Sequence, residues 1–342
     1  MIAECPKCAA PVPDALSDAQ GMRLYSCRTC HEAFLIIGLR GGVVVEHAIP
    51  PVSLASRVAP GSVMEGVFAC MDQSILQLPT VPAAPQKVIN AVNDPMTTSE
   101  DVARIINEDA SLSMRILRLI NSAAFGGRES IADMKLACAR LGMRSIANIA
   151  YCVAQSHIYR STNPVFSDLM QDLWKHAIAT ARLAESLAAD AGNLPSRSIF
   201  LMGLVHDVGK VVLLDAITLR YQGRIGQLTE HWDLLVNVLD EFSPYAGLRV
   251  VQHWGLAPEI RFTTYYLASP ASAPALYRKH TSLIALASAA AELAGFGIVG
   301  KARPNIRDLA GALNAGLKLA DLDGLIEGAK AQIAPYTELA SG

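Results

Sequence analysis

Charge is scarce in this chain. Asp, Glu, Lys and Arg make up 18% of its 342 residues, and they nearly cancel to a net −2. So small a surplus excludes a protein that grips nucleic acid by bulk electrostatics. Long uninterrupted apolar runs are also missing. Segments 198–205 and 282–293 are too short or too rich in alanine to span a bilayer. The start, MIAECPKC, has no basic stretch leading into an apolar one, so it does not read as a secretory signal. A cytoplasmic location is the expectation. No fixed-period repeat and no coiled-coil heptad is found. What is abundant is apolar: 51% of residues are hydrophobic, a globular composition with length enough for roughly two or three domains.

Seven cysteines fall into two groups. Cys5 and Cys8 form one C-x2-C pair, and Cys27 and Cys30 form another after an 18-residue gap. Each pair can wrap two thiolates around one ion, and two such knuckles close the tetrahedron that structural zinc accepts. In a reducing compartment this spacing reads as metal ligation before disulfides. Pro11, Pro13, Asp14 and Gly21 supply turn chemistry within the gap. Strands are expected at 22–26, 33–38 and 43–46, the last two around Arg40-Gly41-Gly42. The pattern resembles a zinc ribbon over residues 1–47, with one structural zinc per chain. Four thiolates leave no open position for water, so this metal should hydrolyse nothing, and His31 is a bystander. Cys138 and Cys152 lie in apolar helical patterns and read as small buried hydrophobes.

Residues 48–69 read as a linker, punctuated by Pro50, Pro51, Pro60, Gly61 and Gly66. Beyond it the pattern is helical. A short helix over 84–92 ends at Asn93-Asp94-Pro95, and Thr98 with Asp101 can cap the next. Val102, Ile105 and Ile106 give that helix its i, i+3, i+4 stripe. Further helices are expected at 111–121, 131–141, 145–158, 166–191, 197–208, 231–242, 244–253, 258–267, 277–293, 306–313 and 322–333. The fold class is mainly α, with a small β zinc ribbon in front.

Within this body, His206 and Asp207 stand out in a nearly all-apolar helix, where unpartnered burial would be costly. His176 lies on the preceding long helix and can reach them if the two helices run antiparallel. Lys210 reads as a helix-end cation. Asn121 and Ser122 read as groups that cap or bridge backbone. Trp174, Trp232 and Trp254 read as core or interface aromatics. Arg104, Arg115 and Arg118 read as a solvated basic face.

His206-Asp207 with Gly209-Lys210, and His176 upstream, resembles the doublet of the HD metal-dependent phosphohydrolase superfamily. Leu78-Pro79, Val81-Pro82, residues 109–115, Leu117 to Ala123 and residues 137–142 resemble the HDOD domain more specifically. The likeness covers about residues 70–295, as an N-terminal helical half (70–160) and an HD-like half (161–295). Residues 296–342 then form a C-terminal helical extension. The resemblance implies a regulatory, non-catalytic domain of bacterial signal transduction. Two departures from the HD pattern agree. Ser288 stands where the late aspartate ligand belongs, and Tyr265 and Tyr266 follow Trp254-Gly255-Leu256-Ala257-Pro258 where a paired histidine belongs. His176, His206 and Asp207 remain as a degenerate metal site, weakened because a neutral serine replaces an anionic oxygen. A buried His–Asp hydrogen-bonded pair that ties helices together is the favoured reading of these residues.

The expected function is therefore a non-enzymatic module that binds a signalling protein or small ligand, with the ribbon as a second contact surface. No catalytic residue is assigned. A cyclic dinucleotide is a weaker ligand expectation, since no arginine-rich phosphate motif is evident. The alternatives are a metal-dependent phosphohydrolase or cyclic-dinucleotide phosphodiesterase, and a nucleic-acid binder acting through the ribbon. The last is disfavoured because Lys7, Arg23, Arg28 and Arg40 are offset by Glu4, Asp14, Asp18 and Glu32.

Overall fold

The computed structural model describes residues 83–122, 130–161, 163–190, 198–221 and 232–297, three strand segments between residues 21 and 46, and scattered single positions outside these. Cys5, Cys8, Cys27 and Cys30 lie outside the described residues, as does the helix expected at 306–313.

The strands are β1 (Gly21–Ser26), β2 (Ala33–Leu39) and β3 (Gly42–Glu46). They form one antiparallel sheet in the order β1-β2-β3. Ser26 pairs with Ala33, so residues 27–32, the stretch holding Cys27 and Cys30, join β1 to β2. Leu39 pairs with Gly42, which leaves Arg40 and Gly41 as the second connection.

Among the described residues, five helices build the first half of the body. They are α1 (Ala83–Val92), α2 (Ser99–Asn107), α3 (Ala110–Ile120), α4 (Met134–Leu141) and α5 (Met143–Gln155). Their boundaries follow local chemistry. Thr98 and Asp101 close the expected capping box at the start of α2. Asp109 and Asp133 accept the Leu112 and Leu136 N–H groups at the starts of α3 and α4. Gly142 separates α4 from α5 at φ +83, a left-handed value that a side chain disfavours. Asn121 takes the bridging role read from sequence. Its Nδ2 donates to Ile131 O at 2.9 Å and its Oδ1 accepts the Ile131 N–H at 2.8 Å.

The second half comprises α6 (Ser167–Asp190), α7 (Ile199–Val205), α8 (Val208–Tyr221), α9 (Trp232–His253), α10 (Pro258–Tyr266) and α11 (Ala275–Leu293). Two expectations fail here. The single helix expected at 197–208 is α7, a two-residue break at His206-Asp207, and a further helix, α8. The break has no sequence mark because apolar residues continue on both sides of it. The two helices expected at 231–242 and 244–253 are one helix with Pro244 inside it. Proline removes the N–H that would bond the Asp240 carbonyl. The helix continues because Leu239, Phe242, Ala246 and Val250 are buried in the core on both sides of it.

Two glycines let the second-half helices touch. A Cβ at Gly203 on α7 would lie 2.5 Å from Ala181 Cα on α6. A Cβ at Gly209 on α8 would collide with the Ser243 carbonyl oxygen of α9 and lie 2.6 Å from Gly247 N. These crossings set α7 on α6 and the start of α8 on α9. One apolar core runs from Val67 to Tyr336 and takes in Trp174, Trp254, Cys138 and Cys152, so the readings of these four as buried hold. No helix among the described residues is long and apolar enough to cross a membrane.

Candidate functional site: a buried His–His–Asp–Lys cluster

The break between α7 and α8 puts His206 and Asp207 on a turn in the interior, facing His176 of α6 and Ser288 of α11. His176, His206, Asp207 and Lys210 are all at least nine-tenths buried. His206 Nδ1 lies 2.6 Å from Gly203 O, and His176 Nδ1 lies 2.7 Å from Phe296 O. A carbonyl oxygen only accepts, so each Nδ1 carries a proton and donates it. In the neutral imidazoles both Nε2 atoms are then bare lone pairs. They face each other at 3.1 Å. Ser288 Oγ, 3.1 Å from His176 Nε2, can donate to it. Between the two nitrogens themselves, only a proton or a cation makes the contact attractive. Burial, reinforced by the neighbouring His206, pushes His176 down to about 3, so its own ring stays neutral at ordinary pH.

Asp207 Oδ2 stands 3.7 Å from His206 Nε2 and 3.8 Å from His176 Nε2. These are not hydrogen bonds, which corrects the expected His–Asp hydrogen-bonded pair. The carboxylate instead accepts from Lys210 Nζ at 2.7 Å. Lys210 is not a helix-end cation answering a C-terminal dipole. It sits in the first turn of α8, where the dipole disfavours it, and Asp240 Oδ1 of α9 takes it from a second side at 3.0 Å. Burial alone would lower Lys210, but Asp207 and Asp240 outweigh it and hold the ammonium charged. Burial alone would raise Asp207, but Lys210, His206 and His176 hold it well below the usual carboxylate range.

His176 Nε2, His206 Nε2 and Asp207 Oδ2 all lie within 4.8 Å of one another, a spacing one divalent ion can bridge. The donor set therefore fits a metal in geometry. It fits less well in charge, because Lys210 already neutralises the one anionic ligand and Ser288 offers a neutral hydroxyl in place of a second.

The sequence-derived set His176, His206, Asp207 and Ser288 thus meets in one place. Tyr265 stays outside this cluster and packs edge-on against Tyr266 at 5.0 Å. Asp240 and the Phe296 carbonyl were missed. A buried lysine calls for a carboxylate, but Asp207 three residues before it already answers that call, so nothing in the sequence pointed to Asp240.

Residues 78–270, more than half of the chain, match the HDOD domain family. An uncharacterized protein of Treponema pallidum (strain Nichols) is 27% identical over 229 residues, which cover 64% of this chain and 43% of that protein. The chain thus spans less than half the length of this relative. An HDOD domain protein of unknown function from Geobacter sulfurreducens superposes with a TM-score of 0.63 at 20% identity, covering 79% of this chain and 98% of that one. A candidate metal-dependent phosphohydrolase from Shewanella amazonensis SB2B gives 0.59 at 23%, covering 80% and 98%. A candidate signal transduction protein from Marinobacter aquaeolei VT8 gives 0.57 at 18%, covering 84% and 68%. At these identities the likeness establishes a shared fold.

Proposed function

The chain belongs to the HDOD domain family, and on that premise we propose that it is a non-catalytic, cytoplasmic regulatory module of signal transduction. Its helical body binds a signalling protein or a small signalling ligand. The fold is shared with a candidate phosphohydrolase as well as a candidate signalling protein, so the residues of the site must decide. The observation that carries the reading is the state of the pocket's anionic ligands. Asp207 is engaged by Lys210 at 2.7 Å, and Ser288, which the HD resemblance sets against the late carboxylate, offers only a neutral hydroxyl 3.1 Å from His176 Nε2. A hydrolytic ion needs enough ligands to hold it and an open coordination position for water, and a hard divalent ion is held less well where its anionic oxygen ligands are missing or engaged. The pocket then serves to lock α6, α7, α8 and α11 together.

The N-terminal residues extend this reading. Cys5, Cys8, Cys27 and Cys30 hold one structural zinc in a ribbon that provides a second interaction surface. Their spacing supports it, as does the pairing of β1 with β2, which brackets the second cysteine pair. A protein partner is favoured and a cyclic dinucleotide is a permitted ligand. Nucleic acid is not favoured, given the balanced charge.

A second reading, a metal-dependent phosphohydrolase, rests on the two Nε2 lone pairs facing each other at 3.1 Å. In that reading His176, His206 and Asp207 would hold a divalent ion, which would supply Lewis acidity and an activated water. Lys210 would then keep Asp207 ionised. The test is an assay of the full chain with manganese, iron or magnesium on a cyclic dinucleotide and on p-nitrophenyl phosphate. The regulatory reading expects no hydrolysis above blank. Turnover that vanishes in Asp207→Ala overturns it.

A further inference from the structure

The basic face dismissed from sequence as solvated is more organised than that. Arg115 and Arg118 lie three residues apart on α3 and share one face of it. Arg115 Nη2 donates to Ser156 Oγ at 3.0 Å. This bond sets the guanidinium against the 3-10 turn Ser156–Tyr159, which carries His157 and runs directly into Arg160. The groups feel one another. Burial, and next Arg160, push Arg115 below its ordinary value, with Asp109 opposing and Arg118 adding. Burial lowers His157 too. The Ala154 carbonyl opposes this, and Arg115 and Arg160 add to it.

These side chains share a missing counter-charge, as, among the described residues, Arg144, Arg220 and Lys279 do singly elsewhere, but here the Ser156 bond sets one of them against the turn that carries two others. Lys87, Arg104, Lys135, Lys175, Arg182 and Lys210 each hold a carboxylate oxygen within 3.2 Å. Among the described residues, Arg115, Arg118, His157 and Arg160 form no ion pair; Asp109, the N-cap before α3, gives its carboxylate to the Leu112 N–H instead. Arg160 reaches only Leu339 O, at 3.4 Å, the long end of hydrogen bonding. Arg160 and Arg118 each repel the Arg115 guanidinium, and an anion placed beside Arg115 relieves that repulsion.

We propose that Arg115, Arg118, His157 and Arg160, with the Ser156 hydroxyl, form a binding site for a compact phosphate-bearing anion. Guanidinium forks match phosphate oxygens two at a time. Arg115 is half-buried and held by Ser156, so part of the ordering cost is met before the ligand arrives. The cluster spans one helical turn and one 3-10 turn, a reach suited to one or two phosphate groups. A nucleic-acid backbone needs an extended cationic track, and a chain of net charge −2 shows no surplus to build one. The site uses no residue of the His–Asp pocket. It supplies a ligand for the regulatory reading, and its failure would leave that reading standing.

The test is isothermal titration of the full chain with sodium pyrophosphate, with ionic strength held constant by sodium chloride. The expected result is saturable binding at one site. Arg118→Gln and Arg160→Gln should each weaken it by about tenfold or more, the worth of a charge-assisted hydrogen bond. Both side chains are exposed, so neither variant should unfold. Arg115→Gln should do the same. Arg104→Gln, whose guanidinium pairs with Asp101 at 2.9 Å on α2, should bind as the unaltered chain does. Absence of saturable heat, or full affinity in Arg118→Gln and Arg160→Gln, overturns the site. So does binding of single-stranded DNA with steep salt dependence where pyrophosphate does not bind, since that marks a polyanion surface.

Discussion

At Ser288 a single hydroxyl decides what the pocket around it can hold. It lies 3.1 Å from His176 Nε2, so a carboxylate in its place would face the two imidazoles and Asp207. Ser288→Asp should therefore create a metal site. Titrated with manganese after stripping with chelator, the variant should bind at least about tenfold more tightly than the unaltered chain, because a hard ion gains an anionic oxygen ligand. Without metal the variant should lose about 2–4 kcal/mol in urea unfolding, since a second carboxylate is buried uncompensated. His176 makes a pH prediction for metal-free protein. Its folded value, about 3, lies below the ordinary 6.5. The unfolded chain then binds the extra proton between these values, so the contribution is intact above pH 6.5 and is lost as pH falls from 6.5 towards 3. Unfolding free energy measured across that window should fall by up to about 1.4 kcal/mol per pH unit from this group, and His176→Asn should flatten the slope. His206 and Asp207 were legible as a polar doublet in an apolar run, and His176 and Ser288 through the resemblance to the HD pattern. The Phe296 carbonyl was not, since a backbone group leaves no trace in residue type. Asp240 was not either, because its role follows from where α9 crosses α8.

That crossing belongs to the scale of elements. Helix starts were readable wherever a cap declares itself, as Thr98 and Asp101 do for α2. The break between α7 and α8 was not, because the residues around it are apolar in every direction and no periodic face exists to lose. Pro244 misled for the opposite reason. A local breaker was overridden by burial on both sides of it. Gly209 is the hinge of the arrangement, since backbone atoms of Ser243 and Gly247 occupy the space of its absent side chain. Gly209→Ala should push α8 from α9 and cost about 3 kcal/mol in thermal or urea unfolding, the upper range for overpacking. The same shift draws Asp240 from Lys210. Gly297→Ala is the control. Its Cβ would meet Glu292 Cγ at 3.4 Å, an ordinary contact, and stability should stay within about 0.5 kcal/mol.

Across the whole molecule, contacts of long sequence separation close the body. Trp174 Nε1 of α6 donates to Tyr336 O at 2.9 Å, and Phe125 meets the Tyr336 ring edge-on at 5.8 Å. Ile333 and Tyr336, placed by sequence in a C-terminal extension, are buried in the core built by residues far upstream. The mainly helical class was legible because amphipathic stripes recur along most of the chain. Which helices touch was not, since glycines and single hydrogen bonds settle it. The central claim is that zinc on the four cysteines is the chain's metal, while the His–Asp pocket is a polar lock. Elemental analysis of the purified full chain tests it most directly. The account predicts about one zinc per chain, as four thiolates hold one ion, lost in Cys27→Ser, with no stoichiometric iron or manganese. A metal ion that survives Cys27→Ser and disappears in His206→Ala would contradict it.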